Sequence, residues 1–123
     1  MRIENIDEAI DLFKKHAIIQ CEATEEGNYK MGNKSYDIII RCISFIANNS
    51  MLEKLSFLLK DNNTYLRFWA ACALLHTEEK EAIKVLKDIK RNETGFISLN
   101  AEITLSELEK GNLKKDYLIK QKK

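Results

Sequence analysis

The sequence predicts an all-α domain of six helices that pair into three helical hairpins, with no sheet. Three observations predict this fold. The 123-residue chain contains no proline, so no residue in it is a strong helix breaker. Apolar residues recur at steps of three and four along most of the chain, which is the period of a helix that buries one face. Short groups of Asn, Asp and Gly separate these stretches and predict the turns between helices.

A single apolar stripe predicts the first helix: Ile6, Ile10, Phe13, Ala17 and Cys21. Asn5 is a typical N-cap, and Glu8 stands three positions later as its capping-box partner. Gly27 is expected to end the helix, because glycine adopts the left-handed cap conformation at little cost. The segment 27–33 then reads as a loop.

The second and third helices are predicted over about 34–48 and 50–60. The second is rich in isoleucine, which also favours strands. However, its polar residues recur at helical steps and favour a helix: Asp37, Arg41, Ser44 and Asn48. For the third helix, Ser50 and Glu53 form the S-x-x-E pattern of a capping box.

Three more helices follow, the first of them predicted over about 64–75. Arg67 is the one charged residue in the first of them, so that helix should be buried on more than one side. Thr77 is expected to cap the next helix. Thr94 or Gly95 should start the last one, and Gly111 should close it.

The sequence repeats at an offset of 31 residues, and the repeat sets the predicted organisation. The matching apolar pairs include Leu55 with Leu86, Leu58 with Ile89, Leu66 with Ile97, Ala70 with Ala101, and Leu74 with Leu105. Such hairpins bury their apolar faces by stacking on one another. The predicted single domain covers 1–113, with 1–49 as an irregular capping hairpin, 50–76 as one repeat and 77–111 as a degenerate one. Residues 114–123 are expected to be a lysine-rich tail.

The stretch LSFLLKDNNTYLRFWAACALL resembles a HEAT repeat, a helical hairpin of the armadillo type. The matching residues are Leu58, Leu59, Asp61, Leu66, Arg67, Ala70, Ala71 and Leu74. The second copy departs from the pattern at Asn92 and Ser98. The resemblance implies a right-handed stack of hairpins. It also implies that Asp61 and Arg67 form a structural pair that ties the turn to the helix; the alternative is that Arg67 binds an acidic partner.

Over about 27–113 the chain is similar to a small family of single-domain bacterial HEAT-like proteins, catalogued as a domain of unknown function. The similarity depends on the HEAT stretch and on residues around it: Gly27, Asn33, Asp37, Ala82, Leu86, Leu99, Ala101, Thr104, Leu105 and Gly111. It implies the fold and a bacterial source, and it implies no activity.

A candidate binding surface follows from the HEAT arrangement, in which the second helix of each hairpin lines a concave face. Tyr65, Trp69 and His76 share one side of the fourth predicted helix with Cys72. They would form the floor of a groove, unless neighbouring helices or the tail cover them. The proposed surface consists of Asp37, Arg41, Tyr65, Trp69, His76, Asn100 and Glu107.

No catalytic, metal or cofactor motif is visible in the sequence. His16 and His76 are the only histidines, and neither belongs to a metal-ligand pattern. The three cysteines are far apart, so we expect buried thiols in a reducing, cytoplasmic setting. No apolar run approaches the ~20 residues of a membrane span, and the first residues carry acids where a signal peptide needs an apolar core.

Composition and charge favour a soluble binding module. With 45% hydrophobic residues and a net charge of +1, the chain does not resemble a long disordered protein. Stacked hairpins offer a preformed surface and no reactive constellation is visible, so we predict a non-catalytic module that binds another protein, such as an immunity-type or regulatory partner in a bacterium. One alternative is nucleic-acid backbone binding through the lysine-rich tail. Whether the tail instead folds back over the groove through Tyr117, Leu118 and Ile119 is left open by the sequence. A second alternative is an enzyme, such as a hydrolase that uses Asp37, Arg41 or His76.

Overall fold

Six helices and no strand make up the regular structure of residues 2–120, the part of the chain that this computed structural model describes. The helices are α1 (Ile6–Glu26), α2 (Tyr29–Asn48), a 3₁₀ helix (Leu52–Lys60), α3 (Thr64–Ala73), α4 (Glu79–Asn92) and α5 (Gly95–Glu109). The predicted all-α class without a sheet is confirmed for this part of the chain. No helix in it is long and apolar enough to cross a membrane.

The ends of α1 follow the sequence prediction closely. The Asn5 side chain accepts a hydrogen bond from the backbone N–H of Glu8 at 2.9 Å. The Glu8 carboxylate reaches back to the backbone N–H of Glu4 at 3.1 Å, one residue before the expected partner. Gly27 ends the helix in the left-handed conformation, at φ 74°. Together these bonds satisfy backbone groups that the first and last turns leave without helical partners.

The loop predicted over 27–33 is wrong, because α2 already begins at Tyr29. Asn28 acts as its N-cap and accepts a hydrogen bond from the Met31 N–H at 3.2 Å. Gly32 is a buried residue inside the helix and lies opposite Ala23 of α1. The glycine and asparagine signals of this segment thus mark a cap and a helix contact, and the connection shrinks to two residues.

The N-cap predicted at Ser50 is also wrong. Ser50 adopts a left-handed conformation at φ 57°, and no side chain caps the following helix. The backbone N–H groups of Ser50 and Met51 instead bind the carbonyl oxygens of Ala47 and Ile46, at 2.9 and 3.0 Å. The segment therefore closes α2, because its N–H groups satisfy the last orphan carbonyls of that helix. The element that follows is a 3₁₀ helix, which the apolar spacing did not predict.

One apolar core joins the three helical pairs. Helices α1 and α2 pack along each other, and the pairs 3₁₀–α3 and α4–α5 pack in the same way. Helix α3 contacts α1, α4, α5 and the 3₁₀ helix, so it lies at the centre, as its nearly uniform apolar sequence predicts. The largest fully buried side chains come from every element except α3 and α5: Phe13, Ile39, Ile43, Ile46, Leu55, Leu58, Leu74, Leu75, Leu86, Ile89 and Leu118.

Burial at most of the repeated positions agrees with the 31-residue offset, but Leu74 is fully buried while Leu105 is half-buried, and one further pair differs more strongly. Leu55 and Leu86 are both fully buried, as are Ala70 and Ala101. By contrast, Phe68 is 6% exposed while its counterpart Leu99 is 47% exposed. The difference arises because α5 is the last helix in the described residues, and no further helix packs on its outer side.

Residues 113–120, here called the C-terminal strap, return across the domain after α5. Lys115 forms an ion pair with Glu79 at the start of α4. Leu118 is 2% exposed and belongs to the core. The backbone N–H of Lys120 donates to the Ser44 hydroxyl of α2 at 2.8 Å. The strap therefore packs on the domain through the apolar residues that lie among its lysines. The remaining residues of the predicted tail, 121–123, lie outside the described part of the chain.

Candidate functional site

Trp69 is a core residue rather than part of an exposed groove floor. It is 5% exposed, and its ring packs edge-on against Phe68 and Tyr36, with centroids 5.5 and 5.9 Å away. Its indole N–H donates to the Gln20 side-chain oxygen of α1 at 3.3 Å, so the buried polar atom is satisfied. Neighbouring helices therefore cover Trp69, which was the alternative to an exposed groove floor.

The other residues of the predicted stripe lie in three different environments. Tyr65 is half-buried and lines a small pocket beside Glu25 of α1 and Gly95 of α5. Cys72 is buried, with Tyr117 of the strap next to it. His76 lies beyond the end of α3, in an exposed turn. These residues therefore do not form one continuous binding surface.

Asp37 and Arg41 lie together on the exposed side of α2. They border a pocket of about 560 Å³ with Tyr36, and the strap supplies its far wall through Tyr117 and Lys120. His76 is not among the residues that line this pocket. The three side chains considered for a hydrolase are therefore not gathered around one cavity.

Asn100 and Glu107 belong to α5, and both make bonds within their own region. The Asn100 carbonyl oxygen accepts a hydrogen bond from the Thr104 hydroxyl at 2.8 Å. The Glu107 carboxylate accepts one from the Asn112 side chain, also at 2.8 Å. The second bond joins the last turn of α5 to the start of the chain leading to the strap. Asn100 thus takes part in α5 through its backbone, and the Glu107 side chain stabilises the end of that helix.

Arg67 ties the turn to α3, but through the backbone of the turn. Its guanidinium donates to the carbonyl oxygen of Asp61 at 2.9 Å and to the Thr64 hydroxyl at 3.2 Å. The Asp61 carboxylate accepts from the Asn63 N–H at 2.8 Å. The two residues expected to pair thus stabilise the same turn by separate hydrogen bonds.

All three cysteines are free thiols, not joined in disulfides, and all are buried in the interior. Burial raises the pKa of Cys42 to about 11, and it raises those of Cys21 and Cys72 to about 12. Neutral, enclosed thiols are poor nucleophiles and poor metal ligands. Among residues 2–120, no group of three or more His, Cys, Asp or Glu side chains converges as a metal site would require.

A wide concave surface lies elsewhere, between the 3₁₀ helix and α4. This feature, here called the open groove, has a volume of about 1150 Å³. Phe57, Leu59, Ile83 and Val85 supply its apolar side chains. Phe57 is 58% exposed. The Lys14 ammonium of α1 lies over its ring, 5.9 Å from the ring centroid.

A basic stripe along α4 forms one wall of the open groove. Lys80, Lys84, Lys87 and Arg91 recur at steps of four and three and are all exposed. Lys60 and Arg67 add two more cations at the groove. The acidic residues in the lining are Glu78, Glu79, Glu81 and Asp88. The groove therefore combines an apolar floor with a charged rim, the usual anatomy of a protein-binding surface.

The basic stripe is readable in the sequence, because its spacing is that of one helix face. The sequence-based prediction for this helix considered only its apolar stripe, and so it missed the groove. Phe57 carries no comparable signal. Its exposure depends on how the 3₁₀ helix lies against α4, which is a tertiary property.

No family model, curated protein or solved structure matches this sequence.

Proposed function

We propose that this protein is a non-catalytic binding module that recognises another protein through the open groove. The observation that carries the proposal is Phe57, a large aromatic side chain that is 58% exposed in a groove of about 1150 Å³. Aromatic side chains that stand in a partly enclosed groove are typical binding anchors. A rim of charges around an apolar floor gives such a surface selectivity as well as affinity.

The module has the architecture of a HEAT-like stack in this proposal. Support comes from three helical pairs, a central buried α3 and equal burial at most positions of the 31-residue repeat. Stacked hairpins provide a preformed surface whose side chains can vary without disturbing the core. We also propose a cytoplasmic location, because three unpaired thiols suit a reducing compartment.

Affinity capture with matched variants tests this function. The tagged protein is incubated with lysate of its own source, washed at high salt, and the retained proteins are identified by mass spectrometry. We expect one protein in near-equal amount. The narrower form of the proposal, an immunity-type or regulatory partner in a bacterium, predicts that this protein is the product of a neighbouring gene.

The control compares two exposed phenylalanines. Phe57→Ala removes the anchor from the groove, whereas Phe96→Ala removes a side chain of similar exposure from α5. Capture should be lost in the first variant and retained in the second. Equal capture by both variants, or recovery of nucleic acid alone, would contradict the proposed function.

A further inference from the structure

We infer that the occupant of the open groove is an amphipathic helix with an acidic stripe beside its apolar face. This inference rests on the proposed function and specifies the chemistry of the partner. It follows from three features of the groove: the excess of cations in its lining, the spacing of the basic stripe, and the internal hydrogen bonding of the backbone around it.

The lining of the open groove carries more positive than negative side chains, with six cations against four carboxylates. Glu79 is already paired with Lys115 of the strap. Glu78 and Asp88 accept hydrogen bonds from neutral groups, the Ser56 hydroxyl and the Asn92 side chain. By contrast, within residues 2–120 no carboxylate lies within 4.0 Å of the side-chain nitrogens of Lys60, Lys84, Lys87 or Arg91. An incoming acidic surface would therefore find an excess of cations, four of them without a carboxylate at ion-pair distance.

The spacing of the basic stripe fits a partner helix. From Lys80 to Arg91 the stripe spans twelve residues of α4, and the eleven steps between its ends cover about 16 Å at the rise of an α-helix. A partner helix of three turns has the same length and can present acids at matching steps. Its apolar side chains would then contact Phe57, Ile83 and Val85 beside the stripe.

The backbone around the groove favours a helix over an extended segment. Both walls are helices whose N–H and C=O groups are bonded internally, so there is no sheet edge to which a strand could add. A partner must therefore satisfy its own backbone hydrogen bonds and offer side chains only. A nucleic-acid backbone is less suitable, because its phosphates and sugars cannot fill the apolar floor.

Panning a displayed library of helical peptides of about 16 residues against the full-length protein tests the inference without assuming a sequence. We expect the enriched peptides to carry Asp or Glu at steps of three and four beside an apolar stripe. An enriched peptide should also bind the purified protein in fluorescence anisotropy, with an affinity that falls as salt rises. Failure to enrich any peptide, or enrichment without an acidic stripe, would overturn the inference.

Two charge reversals on the same helix provide the matched control. Lys87 lines the groove, whereas Lys90 is exposed on α4 outside the lining. Lys87→Glu should weaken binding of the enriched peptide about tenfold or more, and Lys90→Glu should change it by about twofold or less. Equal effects in both variants, or displacement of the peptide by a DNA duplex at lower concentration than by unlabelled peptide, would overturn the inference. If the peptides fail but a captured protein still requires Phe57, only the acidic-helix inference falls and the proposed function stands.

Discussion

Two surfaces of this domain carry side chains suited to binding, but they differ in whether a segment of the chain covers them. Over α2 and α3 the strap inserts Leu118 into the core and bonds its last described residue to Ser44. Between the 3₁₀ helix and α4 no segment of the described chain covers Phe57, Ile83 and Val85. Both surfaces offer aromatic and charged side chains, so side-chain type alone does not identify the binding face. What separates them is whether the chain supplies its own occupant.

The largest expected effect comes from the covered surface. Trp69→Ala should lower the free energy of unfolding by about 3–5 kcal/mol, because it empties a buried aromatic site and removes the partner of Gln20. Urea unfolding monitored by circular dichroism gives the value, since the variant lacks the single tryptophan. A loss of less than about 1 kcal/mol would indicate that α1 and α2 do not enclose this ring.

The strap itself provides the second prediction. Leu118→Ala should cost about 2–5 kcal/mol, as expected for truncation of a core leucine. Leu99→Ala, at a leucine that is 47% exposed on α5, serves as the control and should change stability by about 0.5 kcal/mol or less. Similar losses in both variants would mean that the strap contributes no more than an ordinary surface segment.

On the covered side, the stability of the α1–α2 hairpin is expected to depend on pH through His16. The His16 ring bonds to the buried Ser35 hydroxyl at 3.1 Å. Burial lowers the pKa of His16 below its ordinary value of 6.5, and the charges of Lys15 and Lys34 lower it further. The unfolded chain therefore takes up this proton at a higher pH than the folded chain does.

The His16 contribution to stability should be complete above pH 6.5 and should decrease as the pH falls toward the lowered pKa of the folded state. Urea unfolding between about pH 5 and 8 should show this decrease in the wild type, and His16→Gln should lack it. Equal losses of stability in the wild type and in His16→Gln over this pH range would contradict the assignment of the pH dependence to His16.

The smallest effect on stability is expected in the open groove. Phe57→Ala should change the free energy of unfolding by about 0.5 kcal/mol or less, because the ring is mostly in solvent and only Lys14 lies over it. The same substitution should abolish partner capture. A large loss of stability here would turn Phe57 into a packing residue and remove the basis of the proposed function.

The fold was predictable to the extent that helical period determines it. The apolar stripes identified α1, the central α3 and the all-α class, because each stripe must be buried by another element. The start of α2 was missed because Asn28 and Gly32 carry turn signals while serving as a cap and a helix contact. Ser50 was misjudged for a similar reason, since its pattern of neighbours is that of a cap while its backbone closes α2.

The candidate site was less predictable, because its two determinants are tertiary. The aromatic stripe of α3 indicated a groove, but whether Trp69 is exposed depends on Gln20 and Tyr36, which are distant in sequence. Docking of Tyr117, Leu118 and Ile119 was an open alternative that three apolar residues among lysines could suggest but not decide. The basic stripe of α4 was available from spacing alone, whereas its position opposite Phe57 was not.

Hydrogen–deuterium exchange measures most directly whether the covered and open surfaces differ as proposed. For the protein alone, we predict that the amides of 117–120 exchange far more slowly than in a free peptide, because the Lys120 N–H is bonded to Ser44 and Leu118 is buried. With the captured partner bound, added protection should appear in the 3₁₀ helix and α4, while 117–120 stays unchanged. Fast exchange at 117–120 in the free protein, or new protection over 36–44 in the complex, would show that the partner binds the α2 surface and that the strap is not a permanent cover.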